Sequence, residues 1–131
     1  MFGELARIFD YERGNGRCPS RDFLGSLEPR MRKRFAGQFC ALGQYGLPYH
    51  NQERFRALGG DGKPLWEFKE HDHRVYCFRQ PTKLIPGSVT IVLFNGWIKD
   101  KKGKTGEEKR EIDRALNLYS EFSQEYPGFQ G

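Results

Sequence analysis

The stretch that most restricts the fold of this chain is Val89 to Lys102, Val-Thr-Ile-Val-Leu-Phe-Asn-Gly-Trp-Ile-Lys-Asp-Lys-Lys. It is the one long β-branched apolar run in an otherwise polar chain. Such a run reads as a central strand buried on both faces. It ends in a Gly-Trp step and a burst of lysine, at the point where a strand hands over to a loop.

The rest of the chain reads as elements that flank this strand. Leu5 to Tyr11 is a first strand, and Gly14-Asn15-Gly16 breaks it. Ser20 is expected to cap a short helix over 21–27. Pro29 opens a second helix whose stripe is Met31, Phe35, Phe39, Leu42 and Tyr45, and Gly46 and Pro48 end it. The short link between the two helices predicts a helical hairpin. Residues 48–63 read as a polar loop. Leu65 to Lys69 and Arg74 to Arg79 alternate and predict a β-hairpin. In its second strand, Arg74, Tyr76 and Phe78 share one face; Val75, Cys77 and Arg79 share the other. Thr105 and Glu108 form a capping box for a last helix with the stripe Ile112, Ala115, Leu116, Tyr119 and Phe122. Pro127 and Gly128 stop it, and 126–131 reads as a frayed tail. The expected architecture is one α+β domain: an antiparallel sheet with an N-terminal helical hairpin and a C-terminal helix.

Composition narrows the function. The net charge is +5, with 22 Lys and Arg against 17 Asp and Glu. A basic, aromatic-rich chain of 131 residues points to nucleic acid or to an ordinary basic surface. The three cysteines, Cys18, Cys40 and Cys77, form no CxxC pair, so free thiols in a reducing compartment are expected, with Cys40 and Cys77 in core positions. No run approaches the roughly 18 apolar residues that span a bilayer. The start of the chain lacks a signal-peptide pattern. A cytoplasmic protein without membrane contact is therefore expected.

Four stretches in this order resemble the RelE/ParE superfamily of bacterial toxins, in its HigB-like, phage-encoded branch. They are Leu65-Trp66-Glu67-Phe68-Lys69; Arg74-Val75-Tyr76; Ile91 to Asn95 with Gly96-Trp97-Ile98-Lys99; and Lys109 to Ala115. Phe55 to Gly60 fits as well. The resemblance implies a RelE-like compact fold, a cognate antitoxin as partner, and a metal-independent endoribonuclease that cuts mRNA on the ribosome and inhibits translation. It also implies two alternatives: a ParE-like toxin that inhibits DNA gyrase without cutting RNA, or a domesticated phage nucleic-acid-binding protein.

Metal-free RNA cleavage needs a base for the 2′-hydroxyl and fixed positive charge for the phosphorane. By resemblance, Arg74 would clamp the scissile phosphate, and Lys99 and Lys102 would stabilise the transition state with Lys101 holding RNA. The residues alone leave Arg74 equally open to a salt bridge with Glu67, and the lysines to a solvated loop. His73, beside Arg74, is a candidate acid or base. His50 could contact RNA. Trp97 could stack on a base or pack under the last helix. Arg30, Lys33 and Arg34, with Arg32, form a basic helix face suited to ribosomal RNA. The His71-Asp72-His73 turn has no third ligand in view, so neither metal nor cofactor is expected. The chain departs from the family at two points. Asn95 stands where relatives often carry His, and Glu67 stands where some carry a catalytic lysine.

Overall fold

A computed structural model of the chain describes residues 5–49, 53–82, 85–99 and 105–129. The elements are β1 (Ala6–Asp10), α1 (Pro19–Ser26), α2 (Pro29–Tyr45), β2 (Phe55–Ala57), β3 (Trp66–Glu70), β4 (His73–Pro81), β5 (Val89–Ile98) and α3 (Thr105–Glu125), with a 3₁₀ turn at Gly60–Gly62. The fold class is α+β, with three helices and a five-stranded sheet in the order β1-β5-β4-β3-β2.

The apolar run at 89–98 is the central strand. Residues Val89 to Phe94 alternate between the two faces of the sheet, and none is more than slightly exposed. Val89, Ile91 and Leu93 face Phe35, Phe39 and Leu42 of α2. Val92 and Phe94 face Ala115, Leu118 and Phe122 of α3. The sheet is thus the middle layer of three. Each fully buried large apolar side chain in these layers stabilises the fold by about 1.5–3 kcal/mol.

A bulge interrupts the alternation. Tyr76 pairs with Asn95 but Cys77 pairs with Leu93, so Phe94 is the extra residue. Phe94 packs against Tyr119 and Phe122, and Asn95 bonds to Glu111, so both turn toward α3. Gly96 then lies directly under the Phe23 ring of α1, and a Cβ there would collide with it. The glycine of the Gly-Trp step is a close-packing residue.

Several expectations are corrected. The sheet is mixed, since β1 runs parallel to β5, with Ala6 opposite Val89 and Asp10 opposite Leu93. The two helices share one apolar core but pack on different strands: α1 lies on β5, and α2 lies on β1 and β3. The loop at 48–63 contains β2, which pairs antiparallel with β3. Helix α1 begins at Pro19 with Cys18 before it. Ser20 is buried inside the helix and donates to Asp10 Oδ1 at 2.6 Å. Cys40 is exposed, although Cys18 and Cys77 are buried. Residues 126–129 fold back on α3, with the Phe129 ring 5.1 Å from Phe122. The end of α2 matches its expected signal: Gly46 has φ 66° and its N–H donates to Leu42 O at 2.7 Å. The side chain of Thr105, half of the expected capping box, lies outside the described residues. Among those residues no helix is long and apolar enough to cross a membrane.

Candidate nucleic-acid interface

Strand pairing sets two rows of side chains across the α3-facing side of the sheet. One row is Arg56, Glu67, Tyr76 and Asn95; the next is Lys69, Arg74 and Trp97. The inner ends of both rows are covered by α3. Trp97 is 7% exposed, and its Nε1 donates to Tyr76 Oη at 2.8 Å. Burial pushes the Tyr76 phenol up, well past its ordinary range. Asn95 Nδ2 donates to both Glu111 O and Glu111 Oε2 at 3.2 Å. Trp97 therefore takes the packing role, and its ring offers no face for a base.

The outer ends of the rows carry the charge. Glu67 is 4% exposed and is held by Arg56 at 2.8 Å and Arg74 at 3.7 Å. Arg74 Nη1 also donates to His71 O at 2.6 Å and His73 O at 3.0 Å. These contacts fix the Arg74 guanidinium in place as a standing charge. Beyond β5, Lys99 Nζ meets Glu108 Oε2 at 3.1 Å, which ties it to the first turn of α3.

Lys69 sits among these groups and has no ion-pair partner among the described residues. Burial lowers its pKa first, then Arg56 and Arg74; Glu67 pulls the other way, and Lys99 adds the smallest lowering. A lysine in such surroundings releases its proton more readily than a free one and can act in proton transfer. It was not among the expected site residues. The alternation of Trp66-Glu67-Phe68-Lys69 places Glu67 and Lys69 on one face, and the hairpin register sets Lys69 opposite Arg74. That register is the signal that could have found it.

The other expected site residues are scattered. Arg74 and Lys99 share the α3 face. His73 projects from the opposite face, where its ring lies 6.3 Å from Phe23 and its Nδ1 is 3.1 Å from Asp72 Oδ1. Successive strand residues point to opposite faces, so His73 and Arg74 cannot serve one phosphate from adjacent positions. Arg30, Lys33 and Arg34 are exposed on α2, across the sheet from Arg74. Lys33 and Arg34 line a groove of about 470 Å³ with Gln38, Tyr49, Arg54 and Glu70. The basic α2 face and the Arg74 face are thus on opposite sides of the sheet. Lys101, Lys102 and His50 lie outside the described residues. Among those described, no cluster of three His, Cys, Asp or Glu is placed to hold a metal.

A comparison with known protein families and with curated proteins finds no match to this chain.

Proposed function

We propose that the chain is a toxin of the RelE/ParE kind, a metal-independent endoribonuclease that cuts mRNA on the ribosome and is neutralised by a cognate antitoxin. The observation that carries the proposal is Lys69: a lysine with a lowered pKa, without a counterion among the described residues, beside two arginines fixed by Glu67. In the proposed step, neutral Lys69 takes the proton of the 2′-hydroxyl. The 2′-oxygen bonds to phosphorus, and the bond from phosphorus to the 5′-oxygen breaks. The departing oxygen takes a proton from water. Arg56 and Arg74 hold positive charge against the phosphorane. No His at position 95 is required, since Asn95 is engaged with α3. Arg30, Lys33 and Arg34 on the far side would bind ribosomal RNA through its phosphates.

The test is to map transcript 5′ ends after inducing the wild type and Lys69→Met. New 5′ ends are expected for the wild type, falling about 10²- to 10⁴-fold in the variant, the range for loss of a general base. The wild-type rate is expected to rise with pH through a midpoint below that of an ordinary lysine. If induction leaves transcripts whole and the purified protein blocks supercoiling by gyrase, the nuclease assignment is wrong.

A further inference from the structure

At the C-terminal end of α3 the character of the surface reverses. A pocket of about 400 Å³ opens there, lined chiefly by Phe9, Tyr11, Glu12, Phe122, Tyr126 and Phe129. Phe122 forms its floor. Tyr11 stands against it at 5.8 Å and 85°, Phe129 at 5.1 Å and 76°, and Tyr126 leans over it at 5.3 Å and 40°. Tyr126 is 53% exposed. Its lining carboxylates are Asp10 and Glu12, and Glu125 and Glu121 act on its Tyr11. Glu121 binds Arg13 through two hydrogen bonds, at 3.0 and 2.8 Å. Glu125 accepts a long bond from Tyr11 Oη at 3.4 Å. Glu12 on the rim has Arg21 at 3.8 Å as its ion-pair partner among the described residues, and both of those side chains are well exposed. The Tyr11 phenol registers this field: burial, then Glu125 and Glu121, push its pKa up to about 12.

Aromatic faces and carboxylates around one opening select a cation. An anion would meet repulsion from both, and an uncharged apolar group would strip water from Glu12 without replacing it. A guanidinium suits the geometry better than an ammonium, because its plane can stack on an aromatic ring while its fork reaches a carboxylate. We propose that this pocket receives the arginine side chain of a partner polypeptide. This site is separate from the Lys69 face and does not depend on the nuclease assignment.

The test uses the full-length, isotope-labelled chain and the peptide acetyl-Gly-Arg-Gly-amide, followed by NMR. Two matched peptides carry citrulline or norleucine in place of arginine. The arginine peptide is expected to shift the ring signals of Tyr126, Phe129 and Phe122 saturably. The citrulline and norleucine peptides are expected to bind about tenfold more weakly or not at all. Glu12→Gln and Tyr126→Ala are each expected to weaken the arginine peptide about three- to fivefold while the spectrum stays dispersed. Cys40→Ser, exposed on α2 on the far side of the sheet, is the control and should leave binding of the arginine peptide unchanged. Equal binding of all three peptides overturns the proposal, as do shifts confined to other surfaces. So does unchanged affinity in a folded Tyr126→Ala variant.

Discussion

The two faces of the central sheet use the same strands in opposite ways. Toward α1 and α2 the layer is almost wholly hydrocarbon. Phe55 stacks on Phe68 at 4.4 Å, Phe39 meets Phe68 edge-on at 5.1 Å, and Leu42, Val75 and Ile91 fill the rest. Ser20, Gln38 and Glu70 are buried polar groups on this side, and Gln38 Nε2 is satisfied by Lys69 O and Glu70 Oε2. Toward α3, polar groups are built into the layer: Trp97 with Tyr76, Asn95 with Glu111, Glu67 with two arginines. An apolar layer closes by shape alone. A polar layer closes chiefly where its groups find partners, and here Asn95 Oδ1 is buried without one among the described residues. Where α3 ceases to cover the rows, the last members are cations, and Lys69 is the one without an ion-pair partner among the described residues. The candidate chemistry sits where the partnered layer runs out.

The largest expected effect lies on the apolar face. Phe55 is fully buried and touches Phe68, Trp66 and Tyr49 from the edge strand β2. Phe55→Ala should cost about 3–5 kcal/mol by loss of transfer energy and opening of a cavity. A shift of the urea midpoint with unchanged slope would show it. A cost under about 1 kcal/mol would mean that β2 is not part of the sealed face. The polar face should respond less. Tyr76→Phe leaves its ring in place but removes the acceptor for Trp97 Nε1, which should cost about 1–3 kcal/mol for the buried unpaired donor. A neutral result would show that the layer under α3 tolerates an unpaired donor at Trp97, and the contrast between the faces would fail.

The contrast also explains what could be read from the sequence. The central strand, the hairpin and the three helices follow from periodicity, because burial on one face leaves a regular apolar mark. The pairing of β1 with β5 leaves no such mark, since it joins segments far apart in the chain and is fixed only by packing. Strand β2 is three residues, Phe-Arg-Ala, between turn-rich segments, too short to show alternation. Cys40 sits one step round the helix from Phe39, and that step carries it from core to surface. Ser20 looked like a cap because serine is common there, and the nearby Asp10 carboxylate claimed its hydroxyl instead. At the candidate site, Arg74 and Lys99 were readable from the resemblance. Lys69 was not, because its distinction is to lie amid three cations without an ion-pair partner among the described residues, which the assembled strands define.

The smallest effect is confined to high pH and tests whether the α3 face stays closed at its aromatic end. Tyr11 is 4% exposed, and its pKa rises from 10.0 to about 12, through burial first and then through Glu125 and Glu121, with Arg13 pulling the other way. The folded chain therefore keeps a proton that the unfolded chain releases. The stability this contributes is fully present below about pH 10 and is lost as pH rises toward about 12. Lys69 has the opposite sign. Its lowered pKa lets the folded chain give up its proton first, so its burden on stability is relieved as pH climbs toward 10.5. Tyr76 titrates in the same direction as Tyr11 and complicates the wild-type curve alone. The difference between wild type and Tyr11→Phe isolates the one phenol. That difference, measured by urea unfolding, should be flat up to about pH 10 and then move steadily against the wild type. A flat difference through pH 12 would show that Tyr11 ionises like a free phenol. The aromatic end of the α3 face would then be open to water, and the closed layer would end before it.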